Sequence, residues 1–171
     1  MPRLIRWRDG VAAWAEDPFT AVDDDQSLPR GEVIVSLARF QREGRGLLDS
    51  GRGLGVRLQS DDAPEALILD LPRLHVVALS FPKYRDGRAY SAARVLRERL
   101  GFRGEVRAVG DVLLEMGYLL VRCGFDAVEP ADDTTPEQWS RVAHRYRHVY
   151  QRAADGREPA FAERDAARGR A

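Results

Sequence analysis

Lys83-Tyr84-Arg85-Asp86-Gly87-Arg88 sets three cations within six residues. Lys83 is the only lysine; every other basic residue among the 27 is an arginine. A lysine ammonium is a compact, rotatable donor, whereas a guanidinium is a planar fork. Lys83, Arg85 and Arg88 therefore form a candidate anion-binding set, suited to a small oxyanion such as sulfite, sulfate or phosphate. The N-terminus of a following helix near Tyr90 would add backbone N–H groups. A lysine close to carboxylates also permits proton abstraction, Schiff-base chemistry or magnesium-assisted binding. Asp111 and Glu129 are the carboxylates in question, so Lys83, Asp111 and Glu129 make up the candidate catalytic set. A rim of solvated salt bridges is the third reading of the same charges.

These residues can meet only if the chain brings its loops to one edge. The apolar run His75 to Ser80 reads as a buried strand, and Ala92 to Leu100 as an amphipathic helix with the stripe Ala89, Ala93, Leu96 and Leu100. Gly101 is placed to end it. Strands are also expected at Glu32–Val35, Val56–Leu58, Glu105–Val109 and Phe125–Glu129. Between them lie a helix after Ser36, with Leu37, Phe40, Gly44, Leu47 and Leu48 on one face, a short helix capped by Asp62 ahead of Pro64, and a deeply buried helix, Val112 to Cys123, capped by Asp111 and closed by Gly124. The alternation predicts an α/β domain with a parallel sheet of about five strands built from βα units, either open doubly wound or a partial barrel. In either form the carboxyl ends of the strands share one rim, where such folds place their sites. Gln59, Asp61, Lys83, Arg85, Asp111, Glu129 and Asp132 are expected there.

Leu4–Trp7 and Val11–Trp14, joined through Asp9-Gly10, predict an N-terminal β-hairpin. Glu16 to Arg30 reads as an acidic surface connection, with Asp23-Asp24-Asp25 as solvated charge or a cation site. The glycines of Gly51–Gly55 follow a helix and open a strand, the reverse of a dinucleotide fingerprint, and read as a stop and turn. Thr135, Pro136 and Gln138 signal a helix start with a capping box. The stripe Trp139, Val142, Ala143, Tyr146, Val149 and Tyr150 predicts that this helix is long and packs hard. One domain, residues 1–153, is expected, with a helical or disordered tail over 154–171.

Composition narrows the classes of function. Formal net charge is zero, which gives no global field toward nucleic acid or an anionic membrane. No apolar run approaches the ~20 residues of a membrane span. The first residues lack a secretory pattern, which makes a cytoplasmic location the default expectation. The single cysteine, Cys123, excludes an intrachain disulfide, a CxxC pair and a four-cysteine cluster. At the end of an apolar helix it reads as a core thiol. His144 and His148 have i, i+4 spacing that could hold a metal, but no third ligand accompanies them, and no metal site is expected. His75 reads as a core histidine.

The segment from Lys83 to Arg94, with Leu96-Arg97, Gly104-Glu105, Arg107 to Val112 and Arg122 to Asp126, resembles a bacterial domain-of-unknown-function family. The resemblance spans roughly residues 3–130 and is strongest from Phe81 to Glu129. Members of that family carry the label of an oxidoreductase involved in sulfite reduction. The resemblance implies a place in sulfur assimilation and carries over no catalytic residues. Sulfite reduction itself needs cluster, haem, flavin or nicotinamide hardware. One cysteine and no dinucleotide fingerprint leave that hardware out, and the cofactor is unknown. The resemblance thus implies an accessory protein that binds an oxyanion or anionic cofactor at the Lys83–Arg88 loop. Alternatives are a non-catalytic partner of sulfite reductase or another sulfur-assimilation enzyme, and a small lysine-dependent enzyme.

Overall fold

A computed structural model describes residues 3–8 and 10–168. Its strands are β1 (Leu4–Arg8), β2 (Val11–Ala15), β3 (Phe19–Ala21), β4 (Glu32–Ser36), β5 (Leu54–Leu58), β6 (Val76–Phe81), β7 (Glu105–Gly110) and β8 (Ala127–Val128). Its α-helices are α1 (Leu37–Asp49), α2 (Arg88–Arg94), α3 (Gly117–Cys123), α4 (Pro136–Ala143) and α5 (Ala160–Arg168). All eight strands form one sheet in the order β2-β1-β8-β7-β6-β5-β4-β3. From β3 to β8 neighbours are parallel, while β1 pairs antiparallel with both β8 and β2.

The five expected parallel strands are present, and the order contains no reversal. The winding is therefore single, and the partial-barrel alternative holds over the doubly wound one. Two details differ from expectation. The hairpin is not an appendage, since β1 extends the sheet beyond β8. The stretch read as a surface connection contains an extra strand, β3, whose three residues pair with Glu32, Val33 and Ile34.

Successive crossovers in one direction put the helices on one face of the sheet. There Val33, Val35, Val56, Leu58, Val77, Leu79, Phe81, Val106 and Val128 pack with Phe40, Leu47, Ala93, Leu96, Leu120 and Trp139. Local signals fix these elements. The Ser36 hydroxyl accepts the Arg39 N–H at 3.0 Å and starts α1. Gly124 turns left-handed at φ 93° and stops α3. The Thr135 N–H donates to Gln138 Oε1 at 2.7 Å, the side-chain half of a capping box. The hairpin is held onto α4 by the Ala12 N–H, which donates to Ser140 Oγ at 2.8 Å, and by an edge-on Trp7–Trp139 contact at 5.8 Å.

Three helix expectations are corrected. The region after Asp62 forms two 3₁₀ turns, Pro64–Leu67 and Leu71–Arg73, with no side-chain cap; Asp62 instead accepts the Gln59 N–H. The helix expected from Val112 begins as a 3₁₀ turn at Leu114 and becomes α-helical at Gly117, leaving Leu119 half exposed. The helix expected to reach Tyr150 ends at Ala143, and Tyr146 and Tyr150 are exposed. Beyond it the chain folds back, with the Ala154 N–H on the Arg122 carbonyl and Arg157 on the carbonyls of Tyr146 and Arg147. The side chain of Arg157 thus takes carbonyls that a longer helix would have used itself.

The concave face of the sheet is narrower than a flat sheet would make it. Eight strands at ~4.8 Å spacing would separate the outer strands by about 34 Å. β2 and β3 are those outer strands, yet only Glu16, Asp17 and Pro18 join them. That connection reaches at most about 14 Å from Ala15 to Phe19. The sheet must curl into a half-barrel for the chain to make the step.

Candidate functional site

Three loops following β5, β6 and β7 are cross-linked at the carboxyl rim. The Asp111 N–H donates to the Phe81 carbonyl at 2.8 Å, and Asp111 Oδ2 accepts the Tyr84 N–H at 2.8 Å. Asp111 thus braces the Lys83–Arg88 loop instead of capping a helix. Arg88 Nη2 donates to Ser60 Oγ at 2.7 Å. The same guanidinium grips Asp86 through Nε at 2.9 Å and Nη2 at 2.7 Å. The Arg88 fork holds the Asp86 carboxyl well below the usual carboxylate range. Arg85 Nε donates to the Tyr84 hydroxyl at 2.7 Å, and its guanidinium lies 5.3 Å from that ring.

Of the three candidate anion binders, Arg88 is already matched by Asp86. Arg85 is laid against Tyr84 and still carries its charge. Lys83 is exposed in a turn closed by the Asp86 N–H on its carbonyl at 2.8 Å. Lys83 and Arg85 are thus the cations presented at the rim. The bond to Asp86 is the main cause that raises the Arg88 pKa, and Asp61 sits close enough to add to it. Asp132 accepts the Thr134 hydroxyl at 3.0 Å, in the turn leading to α4.

Glu129 has other partners. On one register row the non-helical face carries Ser36, Arg57, Ala78, Arg107, Ala127, Arg6 and Ala13. Arginines on alternate strands are separated by alanines that make room for them. Arg107 is 1% exposed. Its Nη1 and Nη2 meet both oxygens of Asp17 at 2.7 and 2.9 Å. Its Nε reaches Glu105 at 2.8 Å, and Nη1 also reaches Glu129 at 3.0 Å. Burial works against this charge, but the carboxylates of Asp17 and Glu105 overcome it and raise the Arg107 pKa. Arg6 shares Glu105 at 2.6 Å. The structure therefore brings Asp111 to the Lys83 loop and ties Glu129 to Arg107.

The Arg107 network was not foreseen, although a signal for it exists. A parallel strand covered on both faces reads as a continuous apolar run. Glu105-Val106-Arg107-Ala108-Val109 and Gly55-Val56-Arg57-Leu58 alternate instead, which marks a polar inner face.

The remaining candidates resolve individually. Cys123 is half-buried against the core, and burial pushes its thiol up. His144 follows the end of α4 and bonds through Nδ1 to the Ser140 carbonyl at 2.9 Å, while His148 bonds to Glu163 at 2.7 Å. The helical i, i+4 geometry that a shared metal needs is absent, because α4 stops before them. Among the described residues no group of three histidine, cysteine or acidic side chains could hold a metal ion. His75, expected in the core, is exposed, since β6 starts one residue later; its Nδ1 accepts the Leu54 N–H at 3.4 Å. No helix among the described residues is long and apolar enough to cross a membrane.

No curated protein matches this chain. The model of a family described as a bacterial protein of unknown function, DUF934, matches residues 55–161. That span takes in the β5 to β8 loops and the cross-linked rim, and it covers more than half of the 171 residues. The chain belongs to the DUF934 family of bacterial proteins of unknown function.

Proposed function

We propose that this protein is an accessory of bacterial assimilatory sulfate or sulfite reduction, and that it binds a small oxyanion or an anionic cofactor at the Lys83–Arg88 loop. The observation that carries the site is the cross-linked rim. Asp111 and Ser60 fix the loop from both neighbouring strands, so Lys83 and Arg85 are presented on a braced turn. Preformed cations lose little order on binding, which favours a weakly held anion such as sulfite. The sulfur pathway itself enters through the family resemblance.

Titration calorimetry with sulfite, sulfate, phosphate and adenosine phosphosulfate tests the site. Lys83→Ala and Arg85→Ala should each weaken the best anion by about tenfold, the worth of one charge-assisted hydrogen bond. Arg88→Ala should act indirectly, by releasing Asp86 and the Ser60 link. Equal binding by Lys83→Ala would remove the loop from consideration. In the second reading the protein docks on sulfite reductase through another surface and binds no anion at the loop. A pull-down with the reductase that survives Lys83→Ala, together with silent calorimetry, would favour that reading. A lysine-dependent enzyme using Lys83 with Asp111 or Glu129 would require those carboxylates to leave Tyr84 and Arg107.

A further inference from the structure

From Arg141 to Arg152 the chain holds four arginines, two histidines and no acidic residue, although its 27 basic and 27 acidic side chains balance overall. We propose that this stretch, with the tyrosines it carries, is a docking face for an acidic segment of a partner protein. Two of its charges are already used, since Arg152 pairs with Glu158 and His148 with Glu163. Asp155, in the same return of the chain, is taken by Arg122. Arg141, Arg145 and Arg147 are exposed and meet no carboxylate among the described residues. Solvated arginines alone would be ordinary, but the aromatic side chains among them are not. Tyr146 is 52% exposed and Tyr150 87%. Tyr146 packs edge-on against Tyr118 at 4.9 Å, and Leu119, next to Tyr118, is half exposed. The Arg145 guanidinium lies 6.0 Å from the Tyr146 ring.

The backbone beneath this face is fixed from within. Val149 is buried, and its carbonyl accepts the Ala160 N–H at 2.7 Å. Arg157 Nη2 holds the carbonyls of Tyr146 and Arg147 at 2.8 and 2.7 Å, and Arg122 Nη2 holds that of Gln151. A surface ordered in this way loses little freedom on binding. Arginine and tyrosine are also the residue types that carry most energy at protein interfaces. Carboxylates of the partner would meet Arg141, Arg145 and Arg147, and its apolar side chains would meet Tyr146 and Tyr150. A nucleic-acid strand has the same sign of charge but needs a basic track along its backbone. Here Glu137 lies ahead of the basic stretch and Asp155 and Glu158 behind it, which favours a short acidic segment.

The test is fluorescence anisotropy of a labelled peptide of glutamate–glutamate–phenylalanine repeats, titrated with the full chain. A peptide with glutamine in place of glutamate and an oligouridylate serve as comparison probes. The glutamate peptide should bind saturably and more weakly as salt rises. Each comparison probe should bind at least about tenfold more weakly. Arg145→Gln combined with Arg147→Gln should weaken the glutamate peptide by at least about tenfold. Tyr150→Ser should weaken it by about fivefold or more, the cost of truncating an interface aromatic. Arg42→Gln combined with Arg45→Gln removes the same charge from α1, which packs on β4 and β5, while α4 packs on β2 at the opposite edge of the sheet. That variant should bind the peptide as the parent does. The docking face and the Lys83 loop are separate segments, so substitutions in one test it apart from the other. No saturable binding, equal binding by the Arg145 and Arg147 double variant, an equal loss in the Arg42 and Arg45 double variant, or oligouridylate binding as tightly as the peptide would overturn the proposal.

Discussion

A guanidinium in the middle of a strand is tolerable only if its surroundings supply the charge it has lost from water. Arg107 meets that condition through Asp17, Glu105 and Glu129, contributed by the β2–β3 connection, by its own strand and by the chain just after β8. Removing one partner of a buried ionic network is far worse than replacing the whole network, because the orphaned charges remain. Arg107→Leu should therefore destabilise the protein by about 3–5 kcal/mol, as three carboxylates are left facing one another. Urea unfolding should show a lower midpoint with little change in slope. Arg107→Lys should recover only part of the loss, since one ammonium cannot hold both Asp17 oxygens and still reach Glu105. A leucine variant as stable as the parent would mean that the network contributes nothing beyond its volume. The same contacts bear on Glu129, whose carboxylate serves Arg107 in this structure.

At the scale of the elements, the loop after β7 sets the geometry of the rim. Gly110 has φ +96°, and a Cβ there would lie 2.5 Å from the Phe81 carbonyl oxygen, a backbone atom that cannot step aside. Gly110→Ala should cost about 2 kcal/mol or more from the left-handed conformation and the clash together. It should also speed hydrogen exchange of the Tyr84 amide, because Asp111 follows directly and holds that amide. Gly51→Ala is the control: φ is +72° with open space around it, and a loss of only about 1–2 kcal/mol is expected. Equal losses at the two glycines would mean that the close approach to Phe81 is not what matters. These local devices are also what made much of the fold legible. Ser36, Gly101 and Gly124 marked helix ends by chemistry that does not depend on distant packing, and the parallel strands stood out as apolar runs between them. β3 is not legible, because three residues beside Pro18 and ahead of an acidic run carry too little pattern. Tyr146, Val149 and Tyr150 continue the spacing of α4 and so predict a longer helix, while the competing partner, Arg157, lies eleven and ten positions beyond the carbonyls it takes. The sequence marks Asp111 as a rim residue but not its local role, since a helix cap and a loop brace demand the same acidic residue after a strand.

For the whole molecule, the curl of the sheet and the Arg107 network are one device seen from two sides. The three residues Glu16, Asp17 and Pro18 span the opening between the outer strands β2 and β3. The middle one places both carboxylate oxygens on a guanidinium from β7, near the centre of the same sheet. A short strap alone would hold the outer strands within reach, and the bidentate bond adds a fixed point between them. Lengthening the strap separates the two contributions. If the strap were only a connection, inserting Gly-Ser-Gly between Glu16 and Asp17 would double its length at a cost of about 0.6 kcal/mol in loop-closure entropy. If the strap also sets the curl, the insertion lets β2 and β3 drift apart and weakens the hold of Asp17 on Arg107, and about 2–3 kcal/mol should be lost. Asp17→Asn should lose a similar amount by itself, and the two changes combined should lose much less than their sum, because both act on one bond. Urea unfolding of the four chains closes this cycle. Strict additivity would show that the curl is set by strand twist and side-chain packing alone, whereas strong non-additivity would identify Asp17 as the residue through which the smallest connection in the chain governs the shape of its largest element.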